Sequence, residues 1–176
     1  ADGQRLLFDL VANATKPIIA VINGYALGGG LELAMAAHMR VTSTTAKMGL
    51  PETSLGLIPG YGGTQRLAQL IGKGRALELI CTAGMIDAQR AYEIGLVNHI
   101  FPTEELMQGA LKLADSIKKT APTAVAQAIG AVNVGLDPSA GLNAEIKAFG
   151  ACFATEDFKE GTQAFLEKRK AQFPGR

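Results

Sequence analysis

Two glutamates, Glu32 and Glu52, stand twenty positions apart, each beside a glycine-rich turn. Paired carboxylates in a partly dry cleft can divide acid and base work, because their surroundings push their pKa values apart. Two glutamates at that spacing can equally be separate surface residues, and spacing alone does not choose. Ahead of Glu32 runs Gly24-Tyr25-Ala26-Leu27-Gly28-Gly29-Gly30. This turn follows an apolar run over residues 17–22 that reads as a buried strand. It opens residues 30–38, a helix of good helix formers. A strand that feeds a glycine turn into a helix aims free backbone N–H groups at one point, and the helix dipole adds positive charge there. Such a point suits an oxygen that becomes negative during a reaction. Close strand–helix packing asks for the same glycines. The turn has neither Gly-x-Gly-x-x-Gly spacing nor a following Gly-Lys-Ser/Thr, so dinucleotide and P-loop readings lack support.

A second stretch, Ile58-Pro59-Gly60-Tyr61-Gly62-Gly63, follows Glu52. A backbone N–H there could hold a water or a ligand; an ordinary surface turn has the same composition. His38 and His99 each lie alone, without partners at metal-ligand spacing. No Gly-x-Ser-x-Gly elbow supports a serine triad. Lys168-Arg169-Lys170 reads either as a solvated helix face or as an anchor for a phosphate.

The elements that must position these groups are legible in outline. An amphipathic helix is expected over residues 3–14, then the strand over 17–22, the helix over 30–38, and strands over 39–42 and 46–49. Pro51 cannot donate to a ladder, so Pro51-Glu52 should leave the sheet. Thr64 is expected to cap a helix that stops at Gly72. Helices over 74–80 and 88–94 follow, the second capped by Asp87 and stopped by Gly95. A strand over 96–101 closes a mixed α/β portion, residues 1–101. Residues 102–176 read as helical: Thr103 caps one helix, Pro122 opens another, a third covers 139–153, and Thr155 caps the last.

Composition bounds the function classes. Of 176 residues, 48% are hydrophobic and 19% charged, which argues for a folded domain rather than disorder. A formal net charge of +1 gives no electrostatic case for nucleic acid or an anionic membrane. No apolar run of about 18 residues reads as a transmembrane helix. Cys81 and Cys152 have no CxxC partner, so both read as buried reduced thiols in an intracellular protein.

Taken in order, these stretches resemble the enoyl-CoA hydratase (crotonase) family. The residues that carry the resemblance are Lys16-Pro17-Ile18-Ile19-Ala20-Val21-Ile22-Asn23-Gly24, Ala26-Leu27-Gly28-Gly29-Gly30-Leu31-Glu32-Leu33-Ala34 and Gly49-Leu50-Pro51-Glu52. Gly56-Leu57-Ile58-Pro59-Gly60, Gly62-Gly63-Thr64-Gln65-Arg66-Leu67, Gly95-Leu96-Val97-Asn98 and Phe165-Leu166-Glu167-Lys168-Arg169-Lys170 continue it. The resemblance implies an α/β fold: a crotonase-like spiral of ββα turns within residues 1–101, then a helical trimerisation region over 102–176. It implies an acyl thioester of coenzyme A as substrate and a homotrimer or a hexamer built as a dimer of trimers. It implies no metal or other cofactor, since coenzyme A belongs to the substrate, while the near-neutral charge and the lack of a long apolar run count against nucleic-acid and membrane partners. The compartment it implies is the cytoplasm, or the mitochondrial matrix in a eukaryote.

By matching position, the resemblance makes Glu32 and Glu52 the catalytic glutamates. It makes the Gly29 N–H one donor of the oxyanion hole, and the Gly60 N–H a holder of the catalytic water. Family members carry a further N-terminal portion with the second oxyanion donor and much of the nucleotide pocket. This chain is expected to lack it, which would leave the 176-residue piece with one donor. The implied reaction is hydration of trans-2-enoyl-CoA to 3-hydroxyacyl-CoA. A Δ3,Δ2-enoyl-CoA isomerase is the rival within the class; many relatives of that kind keep only one carboxylate of the two, so the pair favours hydration. A non-catalytic or RNA-binding crotonase-fold protein is the rival of another class, against which the near-neutral charge counts.

Overall fold

Apolar and β-branched residues suit a half-buried pleated surface, and here they build two short ladders. In a computed structural model that describes residues 3–134 and 138–176, strand β1 (Ile19–Ile22) pairs in parallel with β3 (Met39–Ser43). That strand pairs in parallel with β6 (His99–Phe101). The second ladder joins β2 (Tyr25–Leu27) in parallel to β4 (Lys47–Gly49), and β4 antiparallel to β5 (Met85–Asp87). β1 is apolar throughout rather than alternating; Ile22 is buried and the three residues before it are half-buried.

Helices fill the connections. A π-wound segment, Gln4–Phe8, runs into α1 (Asp9–Ala12). There follow α2 (Gly29–Ala36), a 3-10 turn Pro51–Leu55, α3 (Gly63–Ile71), α4 (Lys73–Thr82), α5 (Ala88–Glu93) and a 3-10 turn Thr103–Glu105. The chain continues with α6 (Leu106–Ile117), α7 (Pro122–Val134), α8 (Pro138–Cys152) and α9 (Glu156–Leu166). Asp87 and Thr155 cap as expected: Asp87 Oδ1 accepts the Arg90 N–H at 2.8 Å, and Thr155 Oγ1 accepts the Phe158 N–H at 3.0 Å.

Four local expectations change. Tyr25–Leu27 forms a strand rather than part of a glycine turn, because β4 offers it a ladder. β5 exists for the same reason and was not legible as a strand. Thr103 lies inside a 3-10 turn rather than capping α6. Cys81 is exposed rather than buried: α4 turns Ala76, Leu79 and Ile80 inward, and the next position along the helix faces out.

The packing divides the chain into two compact units, Ala1–Ala12 with Ile18–Lys112, and Asn13–Pro17 with Leu113–Arg176. The first unit has an apolar core in which Leu31, Met48, Leu50, Leu67 and Leu96 are wholly buried. Within it, Arg40 is buried at the C-terminal end of α2. Its Nη1 donates to the Ala37 carbonyl at 2.8 Å, and its Nε donates to the Leu96 carbonyl at 2.7 Å. A cation complements the negative end of a helix dipole there, while burial pulls its pKa down to about 10. In the second unit the buried Asp157 accepts the Thr123 hydroxyl at 2.7 Å and the Gly175 N–H at 2.7 Å. The first N–H groups of α9 meet the Arg176 carbonyl. Among the described residues no helix is long and apolar enough to cross a membrane.

Candidate active site

The head of α2 is where the sequence candidates gather. Gly28 takes the left-handed φ of 53°, which glycine adopts without strain. Its N–H donates to the Gly49 carbonyl at 3.0 Å, which ties the head of α2 to the end of β4. Gly29 then opens the helix. It is exposed, and a first-turn N–H has no acceptor within its own helix. The nearest atom to a Cβ placed on Gly29 would be Tyr61 Cδ2, at 3.9 Å, so an incoming group can come close to this backbone.

Glu32 sits in the first turn of α2 and is only 1% exposed. Its Oε1 accepts two backbone N–H groups, from Tyr61 and Gly63, both at 2.8 Å. Gly63 is the first residue of α3. The carboxylate therefore does the capping that Thr64 was expected to do, and Gly62 at φ 94° occupies the N-cap with no side-chain bond of its own. The N-terminus of α3, which carries partial positive charge, faces this carboxylate. The room for it comes from glycine: a Cβ on Gly63 would lie 2.8 Å from Glu32 Oε1 and 2.8 Å from Pro59 Cβ.

Glu52 lies in the 3-10 turn that follows β4 and is half-buried. Its Oε2 is buried and has no hydrogen-bond partner among the described residues. Its Oε1 stands 2.9 Å from where a Cβ on Gly28 would be. Gly28 touches the Glu32 backbone and the Glu52 side chain. Its carbonyl accepts the Glu32 N–H at 2.9 Å, and its bare Cα leaves space for the Glu52 carboxylate. An orphaned carboxylate oxygen beside the head of a helix calls for an explanation, and a proton-transfer role is one.

Gly60 is exposed, and nothing lies within 4 Å of a Cβ built on it. The neighbouring N–H, that of Tyr61, is the one aimed at Glu32. Sequence reasoning singled out this loop but missed the Tyr61 and Gly63 amides, because composition does not show where a backbone N–H points. It also missed the Tyr61 ring, which stacks on Phe8 with centroids 4.8 Å apart and planes 7° apart. An apolar groove of about 430 Å³ runs along β1 and α2, lined by residues such as Leu7, Val21 and Leu33; neither glutamate lines it.

The remaining candidates are engaged elsewhere. His38 Nδ1 accepts the Ile18 N–H at 2.9 Å. Burial lowers its pKa, the Ala12 carbonyl offsets this in part, and the charge on Arg40 lowers it further. Arg169 forms a bidentate pair with Glu160, at 2.7 and 2.9 Å, and also binds Glu167, so it is committed within its own unit rather than held out for a phosphate. Among the described residues no group of three His, Cys, Asp or Glu could hold a metal ion.

Comparison with known proteins bears on this arrangement. Residues 3–176 match the family model described as enoyl-CoA hydratase/isomerase. The chain is 48% identical to the crotonyl-CoA hydratase of Syntrophomonas wolfei over 97% of its own length and 66% of that protein's. It is 48% identical to the short-chain-enoyl-CoA hydratase of Clostridium acetobutylicum over 89% of its length and 61% of that protein's. The chain therefore spans a little under two thirds of these curated relatives. The crystal structure of an enoyl-CoA hydratase from Bacillus anthracis superposes with a TM-score of 0.94 at 44% identity, over 98% of this chain and 68% of that one.

Proposed function

This chain belongs to the enoyl-CoA hydratase/isomerase family and has the crotonase fold, and from that premise we propose that it hydrates short trans-2-enoyl-CoA thioesters to 3-hydroxyacyl-CoA. The short acyl chain is suggested by the names of the crotonyl-CoA and short-chain relatives. The observation that carries the proposal is the pair of carboxylates at the head of α2. One is buried and held by two amides, and the other has a buried oxygen without a partner.

In this reading the thioester carbonyl lies against the Gly29 N–H. A donor placed where negative charge develops lowers the barrier to enolate formation. Withdrawal of electrons through the carbonyl makes C3 electrophilic. A water between the glutamates attacks C3 and gives its proton to Glu32, and Glu52 delivers a proton to C2. One C–O and one C–H bond form as the C2–C3 double bond becomes single. The carbons undergo no net redox change, so the balance requires no redox cofactor. Gly60, in the same exposed loop, is proposed to help hold the water through its N–H.

Steady-state kinetics on Glu32→Gln and Glu52→Gln test these roles. Each should lower kcat by about 10²–10⁴, the range for a positioned acid or base, with a far smaller change in KM. Wild-type turnover in either variant would retire the role assigned to that residue. We also propose assembly as a homotrimer or a dimer of trimers. Leu142, Ile146, Phe149 and Phe153 form an exposed apolar stripe at helical spacing along α8 and just beyond it, in keeping with a partner there. Sedimentation showing a monomer at micromolar concentration would remove that part of the proposal.

A further inference from the structure

The loop that holds Glu32 is itself held from behind. Arg66, in the first turns of α3, folds back over the N-terminus of its own helix, and its Nη1 donates to the Tyr61 carbonyl at 2.9 Å. Gly62 lies in its path: a Cβ there would collide with the guanidinium, and the φ of 94° already requires glycine. The Nη2 of the same guanidinium reaches Asp9 Oδ1 at 3.5 Å, and Gln4 Nε2 donates to the same oxygen at 2.7 Å. Tyr61 is consequently fixed at three points. Its N–H is on Glu32, its carbonyl is on Arg66, and its ring is on Phe8.

We propose that Arg66 is a positioning residue for Glu32, keeping the Tyr61 and Gly63 amides aimed at Oε1 so that this carboxylate stays in one orientation. The inference rests on the reading of Glu32 as a catalytic residue. Lysine can replace one donor of the guanidinium but not its planar fork, so it should restore the bond to Tyr61 without the contact to Asp9.

The test compares Arg66→Met, which keeps an apolar stem and removes the donors, with Arg66→Lys. Two readouts are taken in the intact protein: kcat and KM with crotonyl-CoA, and hydrogen exchange of the Tyr61 and Gly63 amides. The methionine variant should lose about 10- to 100-fold in kcat, the scale of a displacement near 1 Å at a reacting group, with KM within about threefold. Both amides should exchange at least about tenfold faster. Arg66→Lys should recover most of the turnover and the protection. Unchanged kcat and protection in Arg66→Met would overturn the inference, as would lost turnover with both amides still protected. If Arg66→Met does not fold, Arg66→Gln, polar but too short to reach the Tyr61 carbonyl, takes its place and must give the same losses. Wild-type protein without hydratase turnover would sink the functional reading alone, since amide exchange still decides whether Arg66 holds the loop.

Discussion

Gly60, in the loop before α3, and Gly63, the first residue of that helix, stand three residues apart, and an added methyl group should have opposite consequences at the two. At Gly63 a Cβ would meet Glu32 Oε1 and Pro59 Cβ at 2.8 Å and Glu32 Cγ at 3.0 Å. Ordinary contact begins near 3.4 Å, so the carboxylate or the loop must give way by about 0.6 Å. Neither is free to do so, because Pro59 is buried and Glu32 is enclosed. Overpacking of this kind costs about 1–3 kcal/mol. Weakening a hydrogen bond to a charged group adds about 1–2 kcal/mol. Alanine recovers up to about 1 kcal/mol of helix propensity at the start of α3. Gly63→Ala should therefore destabilise the protein by about 1–5 kcal/mol and lower kcat by about 10- to 100-fold through the displaced carboxylate. At Gly60 the same methyl meets nothing within 4 Å, and the backbone is not left-handed. Gly60→Ala should be neutral or gain about 0.4–1 kcal/mol from the stiffer unfolded chain. Urea denaturation gives the stabilities, and the loss of crotonyl-CoA absorbance on hydration gives the rates. Equal stability and equal turnover in the two variants would refute the packing of Glu32 against Gly63.

Other perturbations follow from the same geometry. Glu52→Gln should leave the thermal midpoint within a few degrees of the wild type while turnover collapses, because Glu52 Oε2 makes no hydrogen bond among the described residues for the substitution to break; a fall of several degrees would argue against that. Arg40→Met should cost about 3 kcal/mol in chemical denaturation, since the Ala37 and Leu96 carbonyls lose a charged donor in a buried place; a change under about 0.5 kcal/mol would mean that water or another group replaces it. His38 titrates below its ordinary 6.5 in the folded state, so the unfolded chain binds the extra proton first and stability falls as pH drops below 6.5. His38→Gln should flatten that slope in a pH series of denaturation midpoints, and an unchanged slope would assign it to other groups.

Much of the chain was legible because its causes are local. Asp87 and Thr155 cap helices from their own side chains, Gly72 ends α3, and the apolar run before Asn23 forms β1. Those features depend on a few neighbouring residues, and so does the strand–glycine–helix sequence that puts Gly29 and Glu32 at the head of α2. What no local rule could supply was the partner of each polar group. Tyr61 and Gly63 lie 29 and 31 positions beyond Glu32, and their N–H groups reach it only because α3 starts where the first turn of α2 is buried. Thr64 was a reasonable cap by composition, yet a buried carboxylate from another helix took its place. β2 and β5 were missed for the same reason, since a three-residue strand exists only where β4 lies beside it. Residue types determined which groups are available for chemistry. Long-range packing decided where each backbone N–H points, because that direction belongs to the whole fold rather than to any one residue.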